Sequence, residues 1–329
     1  MIESISTQIG AAISFFMKVF KGIGEITPEY RSSVITIGNF DGIHLAHQEI
    51  LHRVVQEARE RRARSVVITF DPHPQKVLHP ERRPFYLLTT LDEKVKLIES
   101  LGIDAVLLIT FTQAFSAITA EAFVREILWG ALHVRKVFIG HDYAFGNRKQ
   151  GNEVFLRSMG GMLGFEVESI NTFTVNNTTV SSTNIRMAIL GGDVGKAGLL
   201  LGRPYSLSGT VIRGYQRGKA IGIPTANIEP GKELLPANGV YAVVVDLEGI
   251  HHAGVLNVGF NPTFSNEKLS VEVHIMNFGG ELYGRDLTVS FIERIRSEMK
   301  FESPEKLADQ ILRDKAKAEE ILARFVRLE

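Results

Sequence analysis

VITIGNFDGIHLAHQEIL, residues 34–51, decides how the first half of this chain folds. Val34-Ile35-Thr36-Ile37 is a short apolar run, and Gly38 ends it in a turn. Asp41-Gly42 makes a second tight turn, and His44 and His47 follow three residues apart. From His47 onward, Ile50, Leu51, Val54, Val55 and Ala58 recur at helical spacing. A strand therefore passes through glycine turns into the start of a helix. Unpaired N–H groups and the positive end of the helix dipole favour an anion there. Two imidazoles beside that terminus suit a polyphosphate, and on a helical backbone they share a face. Gly42 lets the backbone come close to a ligand. No GxxxxGK[ST] run is present, so this is not a P-loop. Taken singly, each histidine also reads as an ordinary surface residue.

Outward from this stretch the alternation continues. Strands are expected at Val34–Ile37, Val66–Phe70, Ala105–Ile109 and Lys136–Ile139, and helices at His47–Ala63, Asp92–Leu101 and Ala120–Trp129. That order implies a parallel sheet with helices on both faces, with ligands at the carboxyl ends of the strands. The second half changes character. Strand-like runs at Ser206–Arg213, Gly239–Asp246, Ala253–Val258, Leu269–Ile275 and Leu287–Phe291 are separated by Gly, Pro and Asn turns. They predict a closed antiparallel β-barrel, with a helix over Ser303–Val326 on its outside. The domains expected are an α/β domain over 17–186, a helical linker over 187–204 ending at Gly202-Arg203-Pro204, and a barrel domain over 205–329.

Composition narrows the class. A chain of 329 residues can bury two cores. Zero formal net charge argues against a nucleic-acid partner. The absence of cysteine excludes disulfides, thiolate metal sites and cysteine nucleophiles, and fits a reducing cytoplasm. Ile9–Phe16 is apolar but too short for a membrane span, and only Glu3 is charged before Lys18, unlike a signal peptide. Residues 1–16 are therefore expected to be a disordered extension, or else to precede a natural start at Met17, with a membrane anchor as the lesser reading.

Further segments carry possible chemistry. TFDPHP at 69–74 and GHDYAFG at 140–146 follow the second and fourth strands, where a substrate should sit. GTVIRGYQRGK at 209–219 is a glycine-rich basic loop whose N–H groups and Lys219 could cradle phosphates, although a ligand-free hairpin has the same composition. Glu272 lies in an alternating strand and points the same way as His274. His251-His252 has no accompanying carboxylate cluster and reads as an exposed hairpin.

Two ordered sets of motifs carry a resemblance. Gly38-Asn39-Phe40-Asp41-Gly42 with His44 and His47 resembles the HxGH signature of the nucleotidyltransferase superfamily, and VSSTNIR at 180–186 its ISSTxIR motif. The 69–74 and 140–146 segments resemble the TFDPHP and GxDFRFG segments of bifunctional bacterial riboflavin kinase/FAD synthetases. PTAN at 224–227, LNVGFNPTF at 256–264, VEVH at 271–274, LYG at 282–284 and IRSEMKF at 295–301 resemble their riboflavin kinase module. The resemblance spans residues 17–325.

It implies a Rossmann-like domain that adenylylates FMN to FAD and a barrel that phosphorylates riboflavin to FMN with ATP and Mg²⁺. In the first, Gly38, Asn39, Phe40, Asp41, Gly42, His44, His47, Ser182, Thr183 and Arg186 would hold ATP. His44, His47 and Arg186 would be catalytic, and Asp71, His73, Asp142 and Phe145 would meet the flavin. In the second, Gly214, Gly218, Lys219, Thr225 and Asn227 would bind ATP, and Thr225 and Asn227 also Mg²⁺. Glu272 would be the general base, and Arg296 would touch the flavin. The implied partners are small molecules, with transient delivery of FMN or FAD to flavoproteins.

The two reactions ask for different tools. FMN's phosphate is already an anion, so adenylylation rests on positioning and charge stabilisation. Riboflavin's hydroxyl must lose a proton, so the kinase wants a carboxylate. Ala46 stands where the motif has glycine, Ala144 where it has arginine, and Asn277 and Gly279 where acidic residues are common. A riboflavin kinase with a weakened or inactive adenylyltransferase stays open at this level. So does a transferase to another phosphate acceptor.

Overall fold

A computed structural model describes residues 17–82, 84–213, 224–260 and 269–326. The extension expected at residues 1–16 lies outside the described residues. The described residues form two compact units. One takes residues up to Asn39, Ile50–Pro80 and Val95–Ile170; the other takes Phe40–Glu49, Glu81–Lys94 and the residues from Asn171 onward.

The first unit is built on β1 (Lys18–Phe20), β2 (Val34–Ile37), β3 (Ser65–Asp71), β4 (Ala105–Thr110), β5 (Lys136–Gly140) and β6 (Glu166–Ile170). They form one parallel sheet in the order β1-β4-β3-β2-β5-β6. β2 is central and all four of its residues are buried, which is why it reads as a continuous run rather than an alternation. The strand order reverses at β2: β3 lies on one side and β5 on the other. This is the switch point at whose carboxyl end α/β sheets bind ligands. β1 and β6 were not legible in the sequence. β1 has three residues, and Glu166–Ile170 carries two glutamates.

The helices of this half of the chain are α1 (Leu45–Glu60), α2 (Pro74–Leu78), α3 (Leu91–Ser100), α4 (Gln113–Ser116), α5 (Ala120–Ala122) and α6 (Glu153–Leu163). α1 buries Ile50, Leu51, Val54, Val55 and Ala58, the residues whose spacing predicts it. The single helix expected over Ala120–Trp129 instead widens from Phe123 into a π-helix, Phe123–Ala131. Phe123, Ile127 and Leu128 from that element, with Leu156 of α6, close the core over Ile35, Ile37, Ile68, Leu107 and Val137.

In the second unit, the hairpin β7 (Thr174–Val175) and β8 (Thr178–Thr179) precedes α7 (Ser182–Leu190) and α8 (Val194–Leu201). The helical linker expected over 187–204 is not a single helix, since α7 ends before α8 begins. Gly192 adopts φ 80°, and the Asp193 carboxylate caps α8 by accepting the Lys196 N–H at 3.0 Å. Ile185, Ala188 and Ile189 of α7, and Val194, Ala197, Leu200 and Leu201 of α8, join the barrel's core. The segment read as a linker is thus packed structure.

The barrel consists of β9 (Tyr205–Ile212), β10 (Ala226–Pro230), β11 (Gly239–Leu247), β12 (Ile250–Phe260), β13 (Leu269–Ile275) and β14 (Asp286–Arg296). It is closed in the order β10-β13-β12-β11-β14-β9, and every pair is antiparallel. Closure removes both sheet edges. Leu207, Ile228, Val243, Leu256, Val273, Val289 and Phe291 fill the inside. Outside, α9 (Pro304–Val326) buries Ala318, Ile321 and Leu322 against Val240, Ala242 and Val255.

One ion pair fastens α9. Asp314, 3% exposed, accepts from Arg296 Nε at 2.9 Å and Nη2 at 2.7 Å. Removing one partner leaves a buried charge alone. Asp314→Ala is expected to cost about 3 kcal/mol of barrel stability, read from the denaturant midpoint. Asp314→Ala with Arg296→Met is expected to recover most of that loss.

Candidate functional sites

The segment after β2 is held from several directions at once. Phe40, Gly42 and Ile43 all have left-handed backbone, with φ of 49°, 90° and 40°. Two of the three are not glycine, so surrounding contacts must hold them there. At Gly42 only glycine fits, because a Cβ would lie 2.7 Å from a Leu88 methyl carbon.

Asp41 supplies the main contacts. Its carboxylate is 2% exposed and accepts the N–H groups of Leu88 at 2.9 Å and Thr89 at 3.3 Å on one oxygen, and Arg186 Nη2 at 2.8 Å on the other. Burial pushes the Asp41 carboxyl upward in pKa, while Arg186 and the two N–H groups oppose that shift. The Ser182 hydroxyl donates to the Asp41 carbonyl at 2.9 Å, and the Gly42 N–H donates to the Thr89 hydroxyl oxygen at 3.1 Å. Arg186 also donates through Nε to the Tyr86 carbonyl at 2.6 Å and lies over the Phe85 ring. Asp41, Ser182 and Arg186 are therefore brought together, but in large part by binding one another. Thr183 is exposed, and the cap of α7 is Ser181, which accepts the Asn184 N–H at 3.2 Å.

Several residues of this cluster were not singled out by sequence reasoning. Arg203 donates to the carbonyls of Gly42 at 2.7 Å and Ile43 at 3.1 Å. Gln48 bridges the carbonyls of Ile43 and Leu201 at 2.8 and 2.9 Å. Lys94 is buried, and its charge acts on both Asp41 and His47. The usable signal was Thr90-Leu91-Asp92-Glu93, a capping box that marks the start of α3.

His44 and His47 stack with ring centroids 3.5 Å apart, and the edge of Phe40 packs on His47. The His47 backbone N–H donates to His44 Nδ1 at 3.3 Å. A neutral His44 therefore carries its proton on Nε2. Burial pushes the His44 imidazole down to about 4 and that of His47 well below its usual value, where the neighbouring His44 and Lys94 charges depress it further. The free pair is neutral near pH 7. Ala46, between them, packs against the barrel-side core.

In the first unit, Gly38 donates its N–H to the Ile68 carbonyl at 3.1 Å, and the Asn39 carbonyl accepts the Thr69 hydroxyl at 3.2 Å. Asp71 ends β3 and Asp142 follows β5, and both are exposed. These strands flank β2. The other two flavin candidates have different surroundings. His73 is buried and caps α2, its Nδ1 accepting the Gln75 N–H at 3.2 Å. Phe145 is core, packed among Phe123, Tyr143 and Phe155, with Gly151 kept side-chain-free by its ring.

In the barrel, Val271 and Val273 point inward, so Glu272 and His274 lie on the outer face of β13. Asn227 of β10 and Asn257 of β12 pair with Glu272 on either side. The Thr225 hydroxyl lies 3.5 Å from Glu272 Oε2, and the His274 ring Nδ1 lies 2.8 Å from the Pro224 carbonyl. Thr225, Asn227 and Glu272 present only oxygen donors, the set that suits Mg²⁺ with water completing its shell. Gly214, Gly218 and Lys219 lie outside the described residues. Arg296 does not present a free cation to a flavin. Its guanidinium is taken by Asp314, and Nη1 donates to the Ser297 carbonyl at 3.0 Å. His251 pairs with Asp246, and no group of three or more potential His, Asp or Glu metal ligands occurs among the described residues.

Two families match successive parts of the chain. Residues 26–184 match the FAD synthetase family and residues 201–322 the riboflavin kinase family. A Pseudomonas fluorescens bifunctional riboflavin kinase/FMN adenylyltransferase is 38% identical over 308 residues, covering 93% of this chain and 98% of the relative. Proteins of the same description from Listeria monocytogenes and Escherichia coli K12 are 38% and 35% identical, covering 91% and 92% of this chain and 94% and 97% of their own length. A Streptococcus pneumoniae crystal structure described as a macrolide-efflux protein matches with a TM-score of 0.83 at 32% identity, over 92% of this chain and 99% of that one. Among the described residues of this chain no helix is long and apolar enough to cross a membrane.

The histidine pair generates a pH dependence. Its folded-state pKa values are depressed, so between the unfolded value of 6.5 and about 4 the unfolded chain binds more protons. Stability is full above pH 6.5 and falls as pH drops through that window, with His44 accounting for about 3 kcal/mol. Denaturation midpoints from pH 7 to pH 4 are expected to fall less steeply for His44→Asn than for the parent chain. Equal slopes would mean that His44 is not held neutral.

Proposed function

The chain belongs to the bifunctional riboflavin kinase/FMN adenylyltransferase family, and from that premise we propose how its residues divide the two reactions. It phosphorylates riboflavin to FMN with ATP, and it adenylylates FMN to FAD with release of pyrophosphate. We assign the adenylyl transfer to residues 17–186 and the kinase to 205–329, with 187–204 joining them.

For adenylyl transfer, an oxygen of the FMN phosphate attacks the α-phosphorus of ATP, and the bond to the bridging β-oxygen breaks. No proton has to be removed. His44 donates from Nε2 to a phosphate oxygen, and His47 and the first N–H groups of α1 stand beside it. The observation that carries this reading is the His44 tautomer, set by the His47 N–H. Lys94 supplies positive charge near the pair, and Thr183 offers an exposed hydroxyl to the nucleotide. Arg186 and Asp41 act mainly by fixing the loop. Asp71 and Asp142, exposed at neighbouring strand ends, accept hydrogen bonds from FMN.

For the kinase, Glu272 accepts the proton of riboflavin's terminal hydroxyl as that oxygen attacks the γ-phosphorus and ADP leaves. Thr225 and Asn227 would hold Mg²⁺, whose charge would offset that of the ATP phosphates. Gly214, Gly218 and Lys219, outside the described residues, are the phosphate-binding candidates that the sequence offers. We place the reactions in the cytoplasm, where a chain without cysteine meets no redox constraint, and where its products can pass transiently to flavoproteins.

The test is incubation with riboflavin, ATP and Mg²⁺ followed by chromatographic separation of the flavins, which is expected to give FMN and then FAD. Glu272→Gln is expected to slow FMN formation by about 100-fold or more while FAD is still made from supplied FMN. His44→Asn is expected to do the reverse. Equal losses of both reactions in either variant would overturn the division.

A further inference from the structure

We infer that Lys232, in the loop after β10, is a positioning residue for FMN adenylylation, acting through Leu88 and Asp41 on the loop that carries His44 and His47. The inference rests on the assignment of that loop to adenylyl transfer.

Lys232 has a side chain only 7% exposed, an expensive place for an ammonium group unless it is fully paired. Its Nζ donates to both carboxylate oxygens of Glu93, at 3.0 and 3.1 Å, and to the Leu88 carbonyl at 3.3 Å, and it lies over the Tyr205 ring. Glu93 is itself held. One of its oxygens accepts the Thr90 N–H at 2.9 Å, while the Thr90 hydroxyl accepts the Glu93 N–H at 3.2 Å. The ammonium thus grips a turn that is already stiff.

The opposite side of the same turn grips the phosphate loop. Leu88 is the shared residue: its carbonyl accepts from Lys232, and its N–H donates to Asp41. Its side chain is fully buried and fills the space that a Cβ at Gly42 would need. A shift of residues 88–89 therefore moves both the Asp41 carboxylate and Gly42. These two residues set the left-handed turn ahead of His44. Misplacing a reacting group by an ångström costs about 100-fold in rate, so a partial loss of this grip falls on the adenylyl-transfer step.

The kinase residues stand apart from this contact. Thr225 and Asn227 are at the start of β10, whereas Lys232 follows its end. A buried Lys–Glu pair is a weak source of stability compared with apolar packing. A geometric role explains its presence better than a stabilising one.

The test uses the full chain and measures the two reactions separately, with riboflavin or FMN supplied. Lys232→Met keeps the packing over Tyr205 and removes the three hydrogen bonds. It is expected to lower kcat for FAD formation about tenfold, with KM for FMN unchanged and riboflavin phosphorylation at the parent rate. Lys232→Arg is expected to recover part of the loss. Glu93→Gln keeps the cap and weakens the grip, so it asks the same question if Lys232→Met does not fold, and it is expected to show the same selective fall. Unchanged FAD formation, or equal loss of both activities, would overturn the inference. Failure of the parent chain to make FAD from FMN would instead overturn the assignment of the loop itself.

Discussion

A single buried carboxylate, that of Asp41, organises the loop between β2 and α1. Removed from water, it must find partners, and it finds two N–H groups on the 88–89 turn and a guanidinium on α7. These partners are far apart in sequence, so one charge ties three segments together. The tie holds Phe40, Gly42 and Ile43 in a conformation they would not keep alone. The histidine pair at the start of α1 is presented only because this turn is rigid.

The two chemistries use different physics. The stacked histidines are kept neutral by burial, so in the proposed role they would offer a polyphosphate directed N–H donors instead of mobile cations. Glu272 instead stands on the outer face of a barrel strand, flanked in register by Asn227 and Asn257. An inward-facing residue of β13 would be sealed in the barrel core, so only the outward set of the alternation can meet substrate. The barrel thus serves as a stiff support, with the proposed kinase residues on its outside.

Legibility in the sequence tracked the range of the interactions. β2, β3, β4 and β5 could be read because each is a buried apolar run, and β13 because it alternates. β10 escaped because it is short and ends in proline, and its place is fixed by pairing with β9 and β13. Residue types at the site were legible, but several of their jobs were not. His73 caps a helix, Phe145 packs in a core, and Arg296 fastens α9. In each case the structure shows a structural role, set by a neighbour distant in sequence or by a local cap, that residue type alone did not reveal. Arg203, Lys94 and Lys232 were missed for the same reason, since no pattern marks a lone basic residue, whether in a loop or, like Lys94, on a helix.

The sequence by itself determined the order of the elements, the parallel sheet followed by a closed barrel, and the family to which the motifs belong. Those properties reside in local patterns: apolar runs, alternation, helical spacing and glycine turns. Only the tertiary structure decided which motif residues hold one another, that the histidines are buried and neutral, and that one side of 187–204 packs into the barrel's core. Those outcomes depend on burial and on partners up to 161 residues apart, as between Gly42 and Arg203, and no local pattern encodes the company a charge keeps once water is excluded.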